Sequence, residues 1–353
     1  MEGVRLKLNS EYKVKDKDED IYIMAFESSC DETAAAVSKN GLEILSNTVS
    51  SQVDLHKKFG GVVPEIASRK HLELLLPVID ESLEKAQLSF FDLDAVAATY
   101  GPGLVGGLLV GLTAAKTVSL FLNIPLIGVN HIAGHIYANF ISNPDIEKPL
   151  ICLTISGGHT DLLYFEDLKG YKILGRTRDD AAGEAFDKIA RFMDLGYPGG
   201  PAIEKAALNG NPEAADFPRA ISDNDSFDFS FSGLKTSVMN YINNKKQKNE
   251  EINKADIAAS FQEAVVDSLK IKLMQAVEKY DIKSVVLSGG VAANKRLRTV
   301  IKPEIEKHGL NLYYPPLQLC TDNAAMIAAV AYYQYLNRDF SDLSLSADPS
   351  LKL

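Results

Sequence analysis

Two hydrophobic rhythms run along this 353-residue chain, one of strand length and one with helical spacing. IYIMAF, from Ile21, is an unbroken apolar run; the polar turn ESSCDET follows, and AAAVS and LEILSNTVSS come after it as further strands. A strand, a turn rich in acids and hydroxyls and a returning strand predict a hairpin. In PEIASRKHLELLLPVIDESLEKAQL the apolar residues recur at helical spacing, and Pro64 stands near the start, where a missing N–H costs nothing. DAVAATYGPG reads as a strand closed by a Gly-Pro-Gly turn, LVGGLLVGLTAAKTVSLFL as a helix with small residues for close packing, and IPLIGVN as another strand. This alternation predicts a layered α/β domain.

The plan then begins again. PLICLTISGGHTDLLYF is strand, Ser-Gly-Gly turn, strand, and KSVVLSGGVAANKRLRTVI is strand, glycine turn, helix, the counterpart of VAATYGPGLVGGLLVGL. Two halves thus repeat one order of elements without repeating residues, and the division is expected near Pro149. The predicted organisation is a charged extension over 1–20, a first lobe over 21–148 and a second over 149–321. A helix over about 322–336 returns to the first lobe, and the tail over 337–353 looks loosely held. NNKKQKNEEINK, from Asn243, is expected as a surface loop or helix end.

Composition narrows the class. Apolar residues at 46 % support globular folding, and no uninterrupted apolar run reads as long enough to span a bilayer. The opening MEGVRLKLNSEYKVKDKDED mixes both charge signs, lacks the apolar segment of a signal peptide and carries acids that a transit peptide avoids. Cys30, Cys152 and Cys320 are scattered without CxxC spacing. That fits a reducing compartment, and a cytoplasmic protein is expected. The net charge of −10 disfavours a uniformly basic nucleic-acid clamp. It leaves room for a basic partner or for local patches, such as Lys57, Lys58, Arg69 and Lys70, or Lys295, Arg296 and Arg298.

The candidate chemistry begins with HIAGH. His131 and His135 stand four positions apart after a strand whose last residue, Asn130, is suited to cap a helix. That spacing puts both imidazoles on one helix face, as in the HExxH helix of zinc proteases. They either share a metal or line a cleft with their hydrogen bonds met internally. In CTDNAAMIAA, Asp322 either supplies a third ligand or caps the small-residue helix that follows.

ISGGHTD (155–161) and LSGGVAAN (287–294) each end a strand in glycines. Glycines there let backbone N–H groups approach an anion; simple tight turns are the plain alternative. No Gly-Lys-Thr, Gly-Lys-Ser or GxGxxG marks a Walker loop or a dinucleotide fingerprint. Two such turns favour a nucleotide held between lobes. In GEAFDKIARFMDLGYPGGPAIEKAA, Asp187 lies on an amphipathic helix and either binds a ribose diol or pairs with Lys188 or Arg191; Glu204 stands one turn into the next helix. Asp31 and Glu32, in the first hairpin turn, suit a metal, a water or the turn itself.

Taken together, the motifs resemble a known family. ESSCDET (27–33), GGVVPEIASRKH (60–71), GPGLVGGLLVG (101–111), NHIAGH (130–135), SGGHT (156–160), EAFDK (184–188), GYPGGPAIE (196–204), FSFSGLKTS (229–237), SGGVAAN (288–294) and CTDNAAMIA (320–328) stand in the order of the TsaD family, the tRNA N6-adenosine threonylcarbamoyltransferases. The resemblance runs from about Ile21 to Tyr335. It implies an α/β fold of the two-lobed actin/Hsp70-like ATPase type, built from duplicated ribonuclease-H-like domains around a nucleotide cleft. It also implies transfer of the threonylcarbamoyl group of threonylcarbamoyl-AMP to N6 of adenosine 37 in ANN-decoding tRNAs, giving t6A and AMP.

The resemblance further implies His131, His135 and Asp322 as ligands of one Fe(2+), with Zn(2+) the other assignment. Thr154, Ile155, Ser156, Gly157, Gly158, Asp187, Gly200, Glu204 and Asn294 match positions that hold the nucleotide-bearing substrate, and Asp31 matches an acid near the reacting group. The partners implied are tRNA and, for a bacterial member, TsaB and TsaE; archaeal and eukaryotic relatives use the KEOPS complex. The chain departs from the family in having FESSCDET for IETSCDET, which keeps the hydroxyl, and Glu204 where aspartate is frequent.

The mixed anhydride of such a donor is already activated, so no protein nucleophile is expected; the protein supplies positioning and stabilisation of charge. Three rival readings stand beside this one. A metallopeptidase needs a glutamate beside its first histidine, and here that residue is Ile132. An actin-like kinase or ATPase has no need of HIAGH. A scaffold lobe without activity has no need of the candidate ligands.

Overall fold

β1 (Tyr22–Glu27) carries the first apolar run, and every residue after Tyr22 is buried because both faces of its sheet are covered. It pairs antiparallel with β2 (Glu32–Lys39), completing the predicted hairpin, and β3 (Glu43–Ser51) extends the sheet beyond β2. After a short turn of helix, α1 (Val53–His56), comes α2 (Pro64–Ala86) with proline at its first position. β4 (Ala95–Gly101) runs parallel to β1, and α3 (Val105–Leu122) leads to β5 (Leu126–Asn130), parallel to β4. The resulting order is β3-β2-β1-β4-β5. The structure is a computed structural model and describes residues 12, 14–168, 170–219 and 226–353.

Leu75, Val78, Ile79 and Leu83 of α2 and Leu112 and Ala115 of α3 bury against Met24, Phe26, Val37 and Val96. Full burial of each such aliphatic side chain contributes about 1.5–3 kcal/mol before entropy is counted. α3 corrects one expectation: by length and composition it is apolar enough to cross a membrane. Glycines, hydroxyls and Lys116 break the run to the eye, yet the whole helix stays apolar. Its buried residues, Gly107, Leu108, Gly111, Leu112 and Ala115 among them, serve packing on β4, β1 and α2.

The second sheet is built from β6 (Leu150–Ile155), β7 (Thr160–Phe165), β8 (Lys172–Arg176), β9 (Ser284–Ser288) and β10 (Asn311–Tyr313). Its order is β8-β7-β6-β9-β10, with β6–β7 and β7–β8 antiparallel and β6–β9 and β9–β10 parallel. This is the first sheet's plan again: a three-stranded meander followed by two parallel strands. The helices α4 (His131–Ser142), α5 (Ala182–Phe192), α6 (Gly199–Ala207), α7 (Ser232–Gln247), α8 (Lys254–Lys279), α9 (Lys295–Lys307) and α10 (Leu317–Cys320) belong with it. Helix α11 (Ala324–Leu336) contacts β1, β2 and β5 of the first sheet. α8 had no counterpart in the sequence reading. It is buried on most of its circumference, so its apolar residues do not trace one stripe.

By contacts the described residues form two compact units, one of those up to 50 with 64–131 and 323–353, the other of 51–63 and those between 132 and 322. The division falls after His131, ahead of the expected Pro149, because α4 is tied to the second unit. There Asn139 Nδ2 donates to the Leu287 carbonyl at 3.2 Å and the Tyr137 hydroxyl to the Leu168 carbonyl at 3.1 Å.

The tail is not loosely held. Ser341 N donates to the Leu126 carbonyl at 2.8 Å and Asp348 N to the Tyr100 carbonyl at 2.7 Å, while Leu343, Leu345 and Ala347 pack on the first unit's core. Of the charged extension, residues 1–11 and 13 lie outside the described residues. Lys15 is anchored, its Nζ 2.8 Å from Asp94 Oδ2 and its backbone N–H donating to the Tyr335 hydroxyl at 2.9 Å. The polar stretch after Asn243 ends α7 and leads to α8, whose cap, Asn253, accepts from Ala255 N and Asp256 N.

Candidate functional site

α4 begins at His131, directly after β5, so both histidines of HIAGH lie on one helix, one turn apart. His131 is 8 % exposed and His135 1 %, and neither lies on a solvated face. His135 Nε2 stands 3.2 Å from Asp322 Oδ1. One donor atom from each of His131, His135 and Asp322 falls within 4.8 Å of the others. Atoms bound to one ion at about 2.1 Å stand no more than about 4.2 Å apart, so the three donor atoms lie near the spacing that a shared ion requires. Two imidazoles and a carboxylate suit iron(II) or zinc.

The plain explanation of Asp322 as a helix cap falls away. The cap of α11 is Asn323, whose side chain accepts from Met326 N at 3.1 Å. The side chain of Asp322 neighbours His135 instead. The peptidase reading loses its base for a similar local reason: Ile132, beside His131, is a buried aliphatic residue.

Sequence reasoning missed Glu27. This carboxylate is completely buried at the end of β1. Its Oε2 lies 2.9 Å from His131 Nδ1 and accepts from the Thr99 hydroxyl at 2.6 Å, while Oε1 accepts from Ser29 N at 2.6 Å. A carboxylate at the end of an otherwise apolar strand is the signal that marks it in the sequence. Asp31 follows in the same turn and is itself buried. That turn is fixed from three sides. Leu104 N donates to the Ser29 carbonyl at 2.7 Å, and His71 stands between the Cys30 carbonyl, 3.0 Å from Nε2, and the Thr33 hydroxyl, 2.8 Å from Nδ1. Glu32 opens β2.

In the second unit the two Ser-Gly-Gly turns stand side by side at the ends of parallel strands, with Thr154 of β6 paired to Ser288 of β9. Ligands of open α/β sheets bind at such strand ends. The Thr154 and Ser288 hydroxyls are 2.8 Å apart. Gly289 has φ +83°, and a Cβ on it would lie 2.5 Å from the Ile155 carbonyl oxygen, so only glycine lets the turns meet. At Gly157, Gly158 and Gly200 the reverse holds: a Cβ would meet nothing within 4 Å. Beside Thr154 and Ser288, burial pushes the Cys152 thiol up to about 11, which removes it from nucleophilic chemistry.

The remaining predicted residues already have internal work. Asp187 Oδ1 accepts from Gly199 N, the first residue of α6, at 2.6 Å; Lys188 pairs instead with Asp180 and Glu184. Glu204 Oε1 accepts from Lys295 N at 2.9 Å, at the start of α9. Asn294 caps the same helix through Leu297 N and donates to Gln262 Oε1 at 2.9 Å. Asp187, Gly200, Glu204 and Asn294 thus sit at or beside the N-termini of α6 and α9.

The basic clusters are largely paired. Arg296 forks onto Glu263 at 2.7 Å, and Arg298 donates to the Ala292 carbonyl and stacks 4.1 Å from the Tyr314 ring centre. Lys57, Arg69 and Lys70 sit in exposed pairs with Asp54, Glu65 and Glu73.

Known proteins resemble this chain in sequence and in fold. A profile of the TsaD family, described as tRNA N6-adenosine threonylcarbamoyltransferase, matches residues 43–329. Proteins of that name from Clostridioides difficile, 58 % identical over 95 % of this chain and 99 % of their own, and from Moorella thermoacetica, 54 % identical over 96 % and 99 %, are similar along nearly the whole length. Among solved structures, HypF of T. kodakarensis has a TM-score of 0.63 at 16 % identity, covering 91 % of this chain and 48 % of its own. Component A of the Acidaminococcus fermentans (R)-2-hydroxyglutaryl-CoA dehydratase has a TM-score of 0.53 at 17 % identity, covering 89 % and 99 %. These two speak for the fold alone, the actin/Hsp70-like ATPase type with its repeated sheet. With relatives above half identity across its length and the profile matching residues 43–329, the chain belongs to the TsaD family of tRNA N6-adenosine threonylcarbamoyltransferases.

Proposed function

We propose that this protein moves the threonylcarbamoyl group of threonylcarbamoyl-AMP to N6 of adenosine 37 in ANN-decoding tRNAs, leaving t6A and AMP. The observation that carries this reading is the 58 % identity to a tRNA N6-adenosine threonylcarbamoyltransferase over 99 % of that protein's length. In the reaction the N6 amine attacks the carbamoyl carbon. The new bond joins N6 to that carbon, the bond from carbon to phosphate oxygen breaks, and the amine loses a proton. AMP is a good leaving group, so the protein has to bind, align and neutralise charge rather than provide a nucleophile.

In this proposal Thr154, Ile155, Ser156, Gly157 and Gly158 line the donor site. The open space at Gly157, Gly158 and Gly200 supports it, since a backbone without side chains admits phosphate oxygens to N–H groups. Asp187, Glu204 and Asn294 fix the helix starts around that space, and a ribose hydroxyl adds to bonds they already accept. Asp31 serves near the reacting group. His131, His135 and Asp322 hold one divalent ion, with iron(II) preferred and zinc the other assignment. When bound, the ion supplies Lewis acidity toward an oxygen of the donor. tRNA is the acceptor, TsaB and TsaE are proposed as partners, and the cytoplasm as the compartment.

The test is transfer of threonylcarbamoyl from threonylcarbamoyl-AMP to an ANN-decoding tRNA by the purified chain, with and without TsaB, TsaE and chelator. The proposal requires t6A formation that stops with chelator. Casein cleavage, or ATP turnover without tRNA, in place of t6A formation would overturn it in favour of the peptidase or kinase.

A further inference from the structure

His131 Nδ1 has two polar neighbours, a carboxylate and a hydroxyl, and they constrain its proton differently. As a carboxylate, Glu27 can only accept through Oε2, at 2.9 Å, and so asks for a proton on Nδ1. The Ser29 hydroxyl, at 3.1 Å, can donate to Nδ1 and would then leave the proton on Nε2. Only the first arrangement leaves Nε2 with a lone pair for a ligand, since the tautomer of a histidine is set by the bond its other nitrogen makes. The shorter contact belongs to Glu27, and Glu27 is itself immobilised: Ser29 N donates to Oε1 and the Thr99 hydroxyl to Oε2, both at 2.6 Å. The chain Thr99 to Glu27 to His131 joins the end of β4, the end of β1 and the start of α4 without using solvent.

We infer that Glu27 is the positioning residue of His131, holding the proton on Nδ1 so that Nε2 is the ligating nitrogen. This rests on the proposed His131–His135–Asp322 ion site and adds the element that selects its competent tautomer. Glutamine at 27 keeps the volume and inverts the chemistry. Its carbonyl oxygen must stay with Ser29 N–H, because the other amide orientation sets N–H against N–H. The amide NH2 then occupies the place of Oε2 and donates to Nδ1, driving the proton of His131 to Nε2.

The experiment compares wild type with Glu27→Gln on the full-length, metal-free chain. Long-range 1H–15N spectra of the imidazoles, assigned with His131→Gln, report the tautomer, and titration with Zn2+ against a chromophoric chelator reports affinity. Expected are the Nδ1–H form of His131 in wild type, the Nε2–H form in the variant and a 10- to 100-fold weaker Zn2+ affinity. An Nε2–H form in wild type, or unchanged Zn2+ affinity in a variant whose tautomer has switched, overturns the inference. Should Glu27→Gln fail to fold, the wild-type spectrum decides, and Thr99→Val, which removes one donor to Oε2, is expected to weaken Zn2+ a few-fold. His135→Ala separates the two levels. If it binds Zn2+ as wild type does, the ion site is wrong, while the metal-free tautomer still judges Glu27.

Discussion

Asp322 Oδ1 lies 3.2 Å from His135 Nε2, and the neighbouring Asn323, not Asp322, caps the helix that follows. The two adjacent side chains therefore have different neighbours, Asn323 the helix N-terminus and Asp322 the imidazole of His135. Asp322→Asn is expected to change stability by less than about 1 kcal/mol, because the cap remains. Transfer to tRNA is expected to fall about 100-fold, since one of the three proposed ligands is weakened. Thermal unfolding alongside t6A formation checks both.

His131→Ala follows the same logic from the helix side. It is expected to unfold in a single cooperative transition and to yield no modified tRNA. Turnover at the wild-type rate would remove the ion from the reaction.

Gly289 carries a different kind of demand. Its φ of +83° and the 2.5 Å approach of a would-be Cβ to the Ile155 carbonyl make Gly289→Ala strained in two ways. Left-handed strain alone costs about 1–3 kcal/mol, and the clash pushes β6 and β9 apart. A lower urea midpoint with unchanged slope, together with weaker donor binding, is the expected result.

Asp180 takes Lys188 at 2.8 Å and Lys235 at closer range. Burial opposes its charge, but the hydrogen bonds from the two lysines prevail and hold its carboxyl below the usual 3.8. A depressed carboxylate stabilises the fold fully above its unfolded value and loses that contribution as the pH falls through the folded value. Asp180→Asn is therefore expected to flatten the loss of stability below about pH 4, measured as unfolding midpoint against pH.

The thiols differ in access. Cys152 and Cys320 are buried with raised values, whereas Cys30 is part-exposed. A thiol reagent at pH 8 is expected to modify Cys30 alone in the native protein and all three after denaturation.

What could be read from the chain depended on distance in sequence. His131 and His135 were legible because a four-residue spacing on a helix is a local fact. The Ser-Gly-Gly turns were legible because strand, turn and strand are contiguous, and so the repeated sheet was too. Asp322 was ambiguous, since an acid before a helix is a sufficient cap until Asn323 is seen to take that place. Glu27 was not legible, because its tie to His131 spans 104 residues. α8 hid for the opposite reason: burial over most of its circumference erases the polar face that marks a helix.

The residues beyond α11 lie along β5, an outer strand of its sheet. Ser341 pairs with Leu126 there, and its hydroxyl accepts from Gly128 N at 3.0 Å. An uncovered outer strand offers a row of unsatisfied amides to any passing copy of the chain. The stretch around Ser341 therefore acts as a sheath against fibre-like stacking, and a variant shortened to Asn337 is expected both to unfold at a lower temperature and to self-associate.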